Sequence, residues 1–361
     1  MGNVAIRKVY VDYLLSTNGH ISATDLSEVV DNQYSHDQIS RMLYTQGIND
    51  KTLYMQGKRM MKAIDAKGKK ALILDDSVLG KPHSKVNGLV SYHYDHSEQR
   101  CIKGINFISA LWADEQCSIP LSMQVVVKDL VWDNTKEEHV WKSTRTKNDI
   151  FREMVKRLTR NGQIDYVLAD SWYSSKENME FVAKECKTNF VMAVKSNRLA
   201  AANIKDAHKG LYKPLEEKKL LGKCAVKLYL KGLDFPVSVI KKVFKNADGS
   251  SGTLYLVSND LDLEREAILA LYKRRWKVEE YHKSLKSNCS LGKCQASSHT
   301  AQRSHLYLSI LAFAQLEKGK LAKGKNHFGL MRDINILTIK HGLSAVKKHL
   351  HITLTSLQKA A

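Results

Sequence analysis

The stretch Lys70-Ala-Leu-Ile-Leu-Asp75, followed directly by Asp76, decides the fold of this 361-residue chain. A short apolar run that ends in an acid is typical of a strand that is buried on both faces of a sheet. The stretch Asp165-Tyr-Val-Leu-Ala-Asp170 has the same form. Acidic residues after strands are often turn or cap residues, but α/β sheets also bind ligands at the carboxyl ends of their strands. Asp76 and Asp170 are therefore candidate ligand-binding residues.

The segments around these two stretches predict an α/β fold with a mixed sheet. Ile102–Trp112 and Ser118–Val127 have the composition of strands and are separated by a turn, which indicates an antiparallel meander. Asn148–Leu158 and Lys176–Cys186 have helical spacing, and Phe190–Val194 is a further short apolar strand. A meander followed by alternating helices and strands favours a mixed α/β sheet.

The flanking regions differ from this core. Ser22 or Thr24, and then Ser35, are suited to begin two short helices in the N-terminal part. Two such helices form either a DNA-binding helix-turn-helix or a plain helical cap on the next domain. Residues 198–258 alternate apolar and lysine residues and contain a hairpin signal at Asn246–Gly252, which predicts a β-rich insertion.

The expected domain order follows from these patterns. It comprises a helical N-terminal domain over residues 1–65, the first part of the core over 66–197, the lysine-rich β insertion over 198–258, the rest of the core with a long helix over 259–320, and C-terminal helices over 321–361.

Charge points to a polyanionic partner. Lys and Arg number 57 against 37 Asp and Glu, so the formal net charge is +20. Such an excess favours nucleic acid first and an anionic membrane surface second. No apolar run reaches the roughly 18 residues of a membrane span, and Met1–Leu15 lacks the pattern of a signal peptide. We therefore expect a cytoplasmic protein with free thiols and no membrane partner.

The chain from Leu263 to about Asn288 predicts one long helix with a polar face. At about 100° per residue, four of its side chains fall within an arc of roughly 60°: Tyr272, Arg275, Glu279 and Lys286. An apolar stripe lies beside them and consists of Leu271, Val278 and Leu285. The polar face is either an ordinary exposed surface with i,i+4 ion pairs or one that brings a carboxylate to a site for phosphodiester chemistry.

In the second interpretation, Glu279 completes a three-carboxylate metal site with Asp76 and Asp170. Carboxylate oxygens are the ligands that Mg²⁺ prefers in proteins. Arg275 and Lys286 would hold phosphates. Tyr272 would hydrogen-bond a phosphate or stack on a base.

The four residues of the polar face fit the pattern Tyr-x2-Arg-x3-Glu-x6-Lys without a gap. In this the chain resembles the IS-four-like group of bacterial insertion-sequence DDE transposases. Asp75-Asp76-Ser77 is similar to the first acidic motif of that group, which is usually Asp-Thr, and Leu168-Ala-Asp-Ser-Trp-Tyr173 is similar to the second. The long interval between Asp170 and Glu279 is where the group carries a β insertion. The resemblance extends from about residue 70 to residue 320.

This resemblance implies a ribonuclease-H-like core in which Asp76, Asp170 and Glu279 bind two Mg²⁺ ions, or Mn²⁺ in their place. Asp75 is the alternative to Asp76 as the first of these three metal ligands. Asp76 is preferred because the acid of the family motif directly precedes the hydroxyl residue, which here is Ser77.

The implied activity is cleavage of one DNA strand at the terminal inverted repeats of an insertion sequence, followed by strand transfer through a hairpin intermediate. The implied partners are double-stranded DNA, as element ends and as target, and further copies of the chain in a homodimer or higher synaptic assembly. The implied location is the bacterial nucleoid. Two alternatives remain, a DNA-binding derivative that does not cut and a ribonuclease-H-like nuclease without strand transfer.

Several aromatic and basic side chains have two interpretations. Trp276 lies about 40° to the other side of the polar face, where it either stacks on an unpaired base near the cut or packs in the core. Trp172 either lines the site or packs beneath it. His282 and Lys283 either contact DNA phosphates or lie on a solvated surface.

Overall fold

The computed structural model describes residues 2–350 apart from residues 18, 46–47, 96–97, 221–223 and 247. The helices are α1 (Gly2–Ser16), α2 (Ala23–Val29), α3 (His36–Tyr44), α4 (Asp50–Ala63), α5 (Lys147–Thr159), α6 (Lys176–Glu180), α7 (Ile204–His208), α8 (Arg265–Arg274), α9 (Trp276–Asn288), α10 (His299–Lys323) and α11 (His327–Leu350). A π-helical turn, Phe181–Glu185, extends α6.

The strands are β1 (Ala71–Gly80), β2 (Ser91–Asp95), β3 (Arg100–Ala113), β4 (Ser118–Val125), β5 (Asp129–Asp133), β6 (Glu138–Lys142), β7 (Tyr166–Ala169), β8 (Asn189–Val194), β9 (Leu199–Ala201), β10 (Lys213–Pro214), β11 (Val226–Leu230), β12 (Val237–Lys245) and β13 (Ser251–Ser258).

An 11-stranded mixed sheet organises the molecule, in the order β10-β9-β11-β12-β13-β8-β7-β1-β3-β2, with β4 also paired to β3. β1, β3 and β4 form an antiparallel meander, whereas β7 pairs in parallel with β1 on one side and with β8 on the other. The central part, β4-β3-β1-β7-β8, is the mixed sheet of a ribonuclease-H-like fold, as predicted. Leu72, Ile73, Val167 and Leu168 in its two middle strands are fully buried.

The β-rich insertion extends this same sheet. β13 pairs antiparallel with β8, and β12 and β11 follow outward. Residue 247, in the predicted hairpin turn, and residues 351–361 of the predicted C-terminal helices lie outside the described residues.

Three strands outside the β-rich insertion were not expected from the sequence. β2 pairs with the first residues of β3, and β5 and β6 form a separate two-stranded hairpin. Val131, in β5, pairs with Val140, in β6, and the strands are joined by Asn134–Glu137. Each of these two strands contains a Val-Trp pair between charged residues, and this composition was the signal that could have predicted the hairpin.

The predicted helix starts in the N-terminal region are confirmed. Ser22 caps α2 by accepting a hydrogen bond from the Asp25 backbone N–H, and Ser35 forms a capping box with Gln38. Ile39, Met42 and Leu43 of α3 are buried, which accounts for the apolar spacing of this segment.

Backbone contacts divide the chain into two compact units, Asn49–His282 and, as the second, Met1–Ile48 with Lys283–Ala361. The first contains the sheet and α4, whose Asp50 carboxylate accepts hydrogen bonds from the Ser122 hydroxyl and the Met123 backbone N–H. In the second, the Tyr10 hydroxyl lies 3.0 Å from His305 Nδ1. The domain boundaries expected from the sequence stay a prediction.

The prediction of one long helix up to Asn288 is wrong at one residue. α8 ends at Arg274 and α9 begins at Trp276. The Arg275 N–H donates to the Tyr272 carbonyl, and the Val278 N–H donates to the Arg275 carbonyl, both at 3.0 Å. These i→i−3 bonds tighten the turn locally and interrupt the regular α-helical pattern.

Among the described helices, none combines the length and apolar character that crossing a bilayer requires. All six cysteines are free thiols.

Candidate active site

Two carboxylates meet where β1 and β7 run side by side. The parallel register pairs Ala71 with Tyr166 and Ile73 with Leu168. Continuing this register by two residues places Asp75 opposite Asp170, on the same face of the sheet. The Asp170 carboxylate is oriented by its own loop, because Oδ1 accepts hydrogen bonds from the backbone N–H groups of Trp172 at 2.9 Å and Tyr173 at 3.4 Å.

Asp75 and Asp76 point to opposite faces, since side chains alternate along a strand. The antiparallel register pairs Asp75 with Ser109 and Asp76 with Ile108. Ser109 faces α9, because its hydroxyl lies 3.4 Å from His282 Nε2. Asp75 therefore shares its face with the helix that carries Glu279.

One guanidinium links Asp75 to this helix. Arg275 Nη2 donates to Glu279 Oε1 at 2.6 Å, and Nη1 lies 3.7 Å from Asp75 Oδ2. The same guanidinium lies 5.5 Å from the centre of the Tyr272 ring. The structure thus brings together three of the predicted residues, Tyr272, Arg275 and Glu279, as helical spacing indicated.

The surroundings of Asp75 and Asp170 disfavour the ionised forms of these two carboxyl groups. Burial, with the charges of Asp170 and Asp76, raises the pKa of Asp75 to about 7 despite the nearby Arg275. Burial also raises the pKa of Asp170. A further positive charge would stabilise the ionised form of both groups.

Asp76 has a different set of partners, on the opposite face. Lys147 Nζ lies 2.5 Å from Asp76 Oδ2, the Tyr173 hydroxyl donates to Oδ1 at 3.0 Å, and Asn106 Nδ2 donates to Oδ2 at 3.3 Å. His93 is buried nearby, and burial, with the ammonium groups of Lys128 and Lys147, lowers its pKa to about 4. Sequence reasoning missed Lys147, Tyr173 and His93, because no local pattern connects them to Asp76.

The remaining predicted residues are distributed as follows. Trp276 is 59% exposed at the start of α9, and Lys286 is exposed two turns beyond Glu279 on the same helix. Trp172 is exposed beside Asp170.

Both interpretations of His282 are wrong, because its ring is buried and packs edge-on against Phe107. The predicted apolar stripe of Leu271, Val278 and Leu285 is buried.

A groove of about 500 Å³ opens next to Asp170, at the carboxyl end of β8. Its polar lining comprises Ser171, Lys195, Ser196, Asn197 and Thr253.

Among the described residues, no three His, Cys, Asp or Glu side chains form a preassembled metal-binding group. At Asp75 and Glu279, the Arg275 guanidinium occupies the space between the two carboxylates.

A mixed sheet with this strand order, carboxylates at adjoining strands and a third acid on a neighbouring helix are features of the ribonuclease-H-like DDE fold. Comparison with protein families agrees. The model described as DDE superfamily endonuclease matches residues 5–216, which is more than half of the chain, and the model described as Transposase DDE domain matches residues 142–314. The chain belongs to the DDE superfamily endonucleases. The first match contains Asp75, Asp76 and Asp170, and the second contains Asp170 and Glu279.

Other comparisons add little. No curated protein matches the chain significantly. Among solved structures, the chain is similar to the NurA nuclease from Sulfolobus solfataricus, with 11% identity and a TM-score of 0.28 over 83% of this chain and 97% of that one. A likeness at this level supports no conclusion about fold or activity.

Proposed function

We propose that this protein is an insertion-sequence transposase that cleaves DNA at the element ends and joins them to target DNA with the help of divalent metal ions. The observation that carries the proposal is the link through Arg275 between Asp75 and Glu279, with Asp170 beside Asp75 on the same face. The net charge of +20 supports DNA as the substrate. The joining and hairpin steps are supported by the resemblance to the IS-four-like group.

The carboxylates fit a hard divalent cation. Asp75, Asp170 and Glu279 offer only oxygen donors, and burial, with the charges of Asp170 and Asp76, raises the pKa of Asp75. These three residues would hold Mg²⁺ or Mn²⁺, which would supply activation of a water and charge stabilisation at the phosphodiester. Arg275 and Tyr272 position Glu279, and Trp276 and Lys286 are placed to contact DNA.

We assign the first ligand position to Asp75, although the family motif favours Asp76. Asp75 shares a face with Ser109 and thus with α9. The partners of Asp76 are an ammonium, a phenol and an amide on the other face. Asp76 therefore serves as an anchor for Lys147.

The test is cleavage of a supercoiled plasmid that carries the DNA flanking the gene, with Mg²⁺. Asp75→Asn, Asp170→Asn and Glu279→Gln should each lower the cleavage rate on the order of 100-fold or more while DNA binding persists, because each removes one ligand charge and keeps the shape. Cleaved and rejoined products, or hairpin ends on a denaturing gel, distinguish transposition from simple hydrolysis.

Asp76→Asn is the matched control, since the Asp75 and Asp76 side chains are equally exposed at 19%. We expect Asp76→Asn to retain cleavage within about tenfold of the wild type. An inactive Asp76→Asn beside an active Asp75→Asn would return the first ligand position to Asp76. Wild-type protein that binds DNA without cutting it would favour the non-cutting derivative.

A homodimer or higher assembly is part of the proposal, because two element ends must be joined in one reaction. α11 supports it. This helix exposes apolar side chains at heptad spacing: Ile336, Ile339, Leu343 and Val346.

A further inference from the structure

The β5–β6 hairpin has one face with carboxylates around an apolar centre, here called the acidic face. Side chains alternate along a strand, so Asp129, Val131 and Asp133 of β5 point to the same side. The register places Val140 opposite Val131 and Glu138 opposite Asp133. Like charges directly opposite each other destabilise a pair of strands. This face therefore favours a cationic partner.

The acidic face is negative in a strongly basic chain. Lys142 lies opposite Asp129. One ammonium and three carboxylates thus give the face a formal charge of −2, in a chain whose total is +20. The turn holds one carboxylate in place, because Asp133 Oδ1 accepts hydrogen bonds from the backbone N–H groups of Thr135 at 2.9 Å and Lys136 at 3.2 Å. Such a face disfavours DNA and favours a basic protein surface.

The β12–β13 pair has a face of the opposite charge, here called the basic face. Lys241, Val243 and Lys245 share one side of β12. Their order of charge, valine and charge repeats that of β5 at the same spacing and with the opposite sign. The residues of β13 that pair with these three are uncharged, so two lysines give the face a formal charge of +2. Its exposed centre is apolar, which matches a protein surface better than a phosphate backbone.

The two faces do not cover each other within one chain. β5 follows β4 at the β3 side of the sheet, whereas β12 and β13 lie beyond β8. Three strands separate β13 from β3, a distance of about 19 Å at roughly 4.8 Å per strand. Val243 is 61% exposed, so the described part of the chain leaves the centre of the basic face open. A second copy of the chain carries the complementary surface that each face requires.

We infer that, in a pair of copies, the acidic face of each copy packs on the basic face of the other. The valines meet at the centre, and carboxylates and ammonium groups lie side by side around them. In a two-fold symmetric pair this contact occurs twice. The inference does not rest on the proposed function, because the contact requires neither DNA nor metal, and it is separate from any pairing of α11.

Reversal of charge on one face at a time tests the contact. One variant carries Asp133→Lys and Glu138→Lys on the acidic face, and the other carries Lys241→Glu and Lys245→Glu on the basic face. Full-length protein with a donor dye is titrated with protein that carries an acceptor dye, without DNA, and energy transfer gives the Kd of association. α11 is the same in every mixture, so differences in Kd report on the two faces.

Each double variant should associate with itself at least about tenfold more weakly than the wild type does, because like charges then face each other. A mixture of the two double variants should associate within about threefold of the wild type, because both contacts regain opposite charges. Recovery in the mixture also shows that both variants are folded, since a misfolded protein would not regain the contact.

Lys242→Glu is the matched control for Lys245→Glu. Both lysines are exposed in β12 and both substitutions change the net charge equally, but Lys242 points to the other side of the strand. Lys242→Glu should associate as the wild type does, whereas Lys245→Glu should associate about threefold or more weakly.

Three results overturn the inference. The first is a mixture of the two double variants that associates no better than either variant alone. The second is a wild type that does not self-associate. The third is an unchanged association of Lys245→Glu together with a loss of duplex DNA binding that equals the loss in Lys242→Glu, which would make the basic face a DNA surface. Plasmid cleavage by the wild type is measured in parallel, and its failure contradicts the proposed function without affecting this contact.

Discussion

Asp75 and Asp76 are neighbours in the chain, and they differ in nearly all of their contacts. Asp75 faces Arg275 and Asp170, and Asp76 is held by Lys147 and Tyr173. The alternation of side chains along β1 explains the difference, since two consecutive residues of a strand cannot share a face. A single step in register would exchange their roles.

The titration of Asp75 leads to a prediction about stability. Its pKa in the folded protein is about 7, above its ordinary value of 3.8, because of burial and the charges of Asp170 and Asp76. The folded state thus binds this proton more tightly than the unfolded state. The free energy of unfolding should therefore fall as the pH rises from about 4 to about 7.

Asp75→Asn removes this titration and should raise the free energy of unfolding by on the order of 1–3 kcal/mol at pH 8 in chelating buffer, with no gain at pH 4. Urea denaturation at both pH values measures the effect. A constant difference between variant and wild type across this range would contradict the assigned cause.

At the scale of elements, the interruption between α8 and α9 determines the position of Arg275. Its guanidinium contacts Tyr272, Glu279 and Asp75. Arg275 lies at the junction, where the tightened turn keeps Tyr272 and Glu279 on either side of it along the helix axis. The buried stripe of Leu271, Val278 and Leu285 passes through the junction without a break. Both helices therefore bury this apolar face although the backbone pattern changes.

α11 leads to a prediction about self-association. Its exposed heptad positions predict pairing with α11 of a second copy, since Ile, Leu and Val at such spacing form a coiled-coil seam. In a parallel pair, Lys340 and Lys347 would face Asn335 and Gly342, so no like charges oppose each other. Ile339→Asp should weaken the dimer at least about tenfold, because an apolar side chain is replaced by a charge in the seam.

Light scattering over a concentration series measures this dimer. Leu337→Asp is the control, because Leu337 and Ile339 are both 58% exposed but Leu337 lies on another side of α11. Equal effects of the two substitutions, or a wild type that stays monomeric with and without DNA, would exclude this surface.

At the scale of the whole molecule, the distribution of charge matters more than any one lysine. The chain carries +20, and the insertion strands bring exposed lysines, such as Lys242 and Lys245, to the extended sheet. These strands continue, through β13 and β8, the same sheet that carries Asp75. DNA bound along such a surface would release many counterions.

Binding of duplex DNA should therefore weaken steeply with salt. With six or more phosphate contacts, the affinity should fall by about a thousandfold or more between 50 and 200 mM salt. Fluorescence anisotropy with a labelled duplex measures the slope. A nearly flat response would mean that the basic surface is not where DNA binds.

The sequence by itself determined the strands that end in acids, the helix caps at Ser22 and Ser35, the polar face of α9 and the buried stripe beside it. These features are local, because they depend on residue spacing within a single element. Only the tertiary structure decided that Asp75 rather than Asp76 faces Glu279, that His282 is buried, and that Lys147 reaches Asp76 from 71 positions away. Such contacts depend on strand register and on which face each helix covers, and both are set by packing between segments that are distant in the chain.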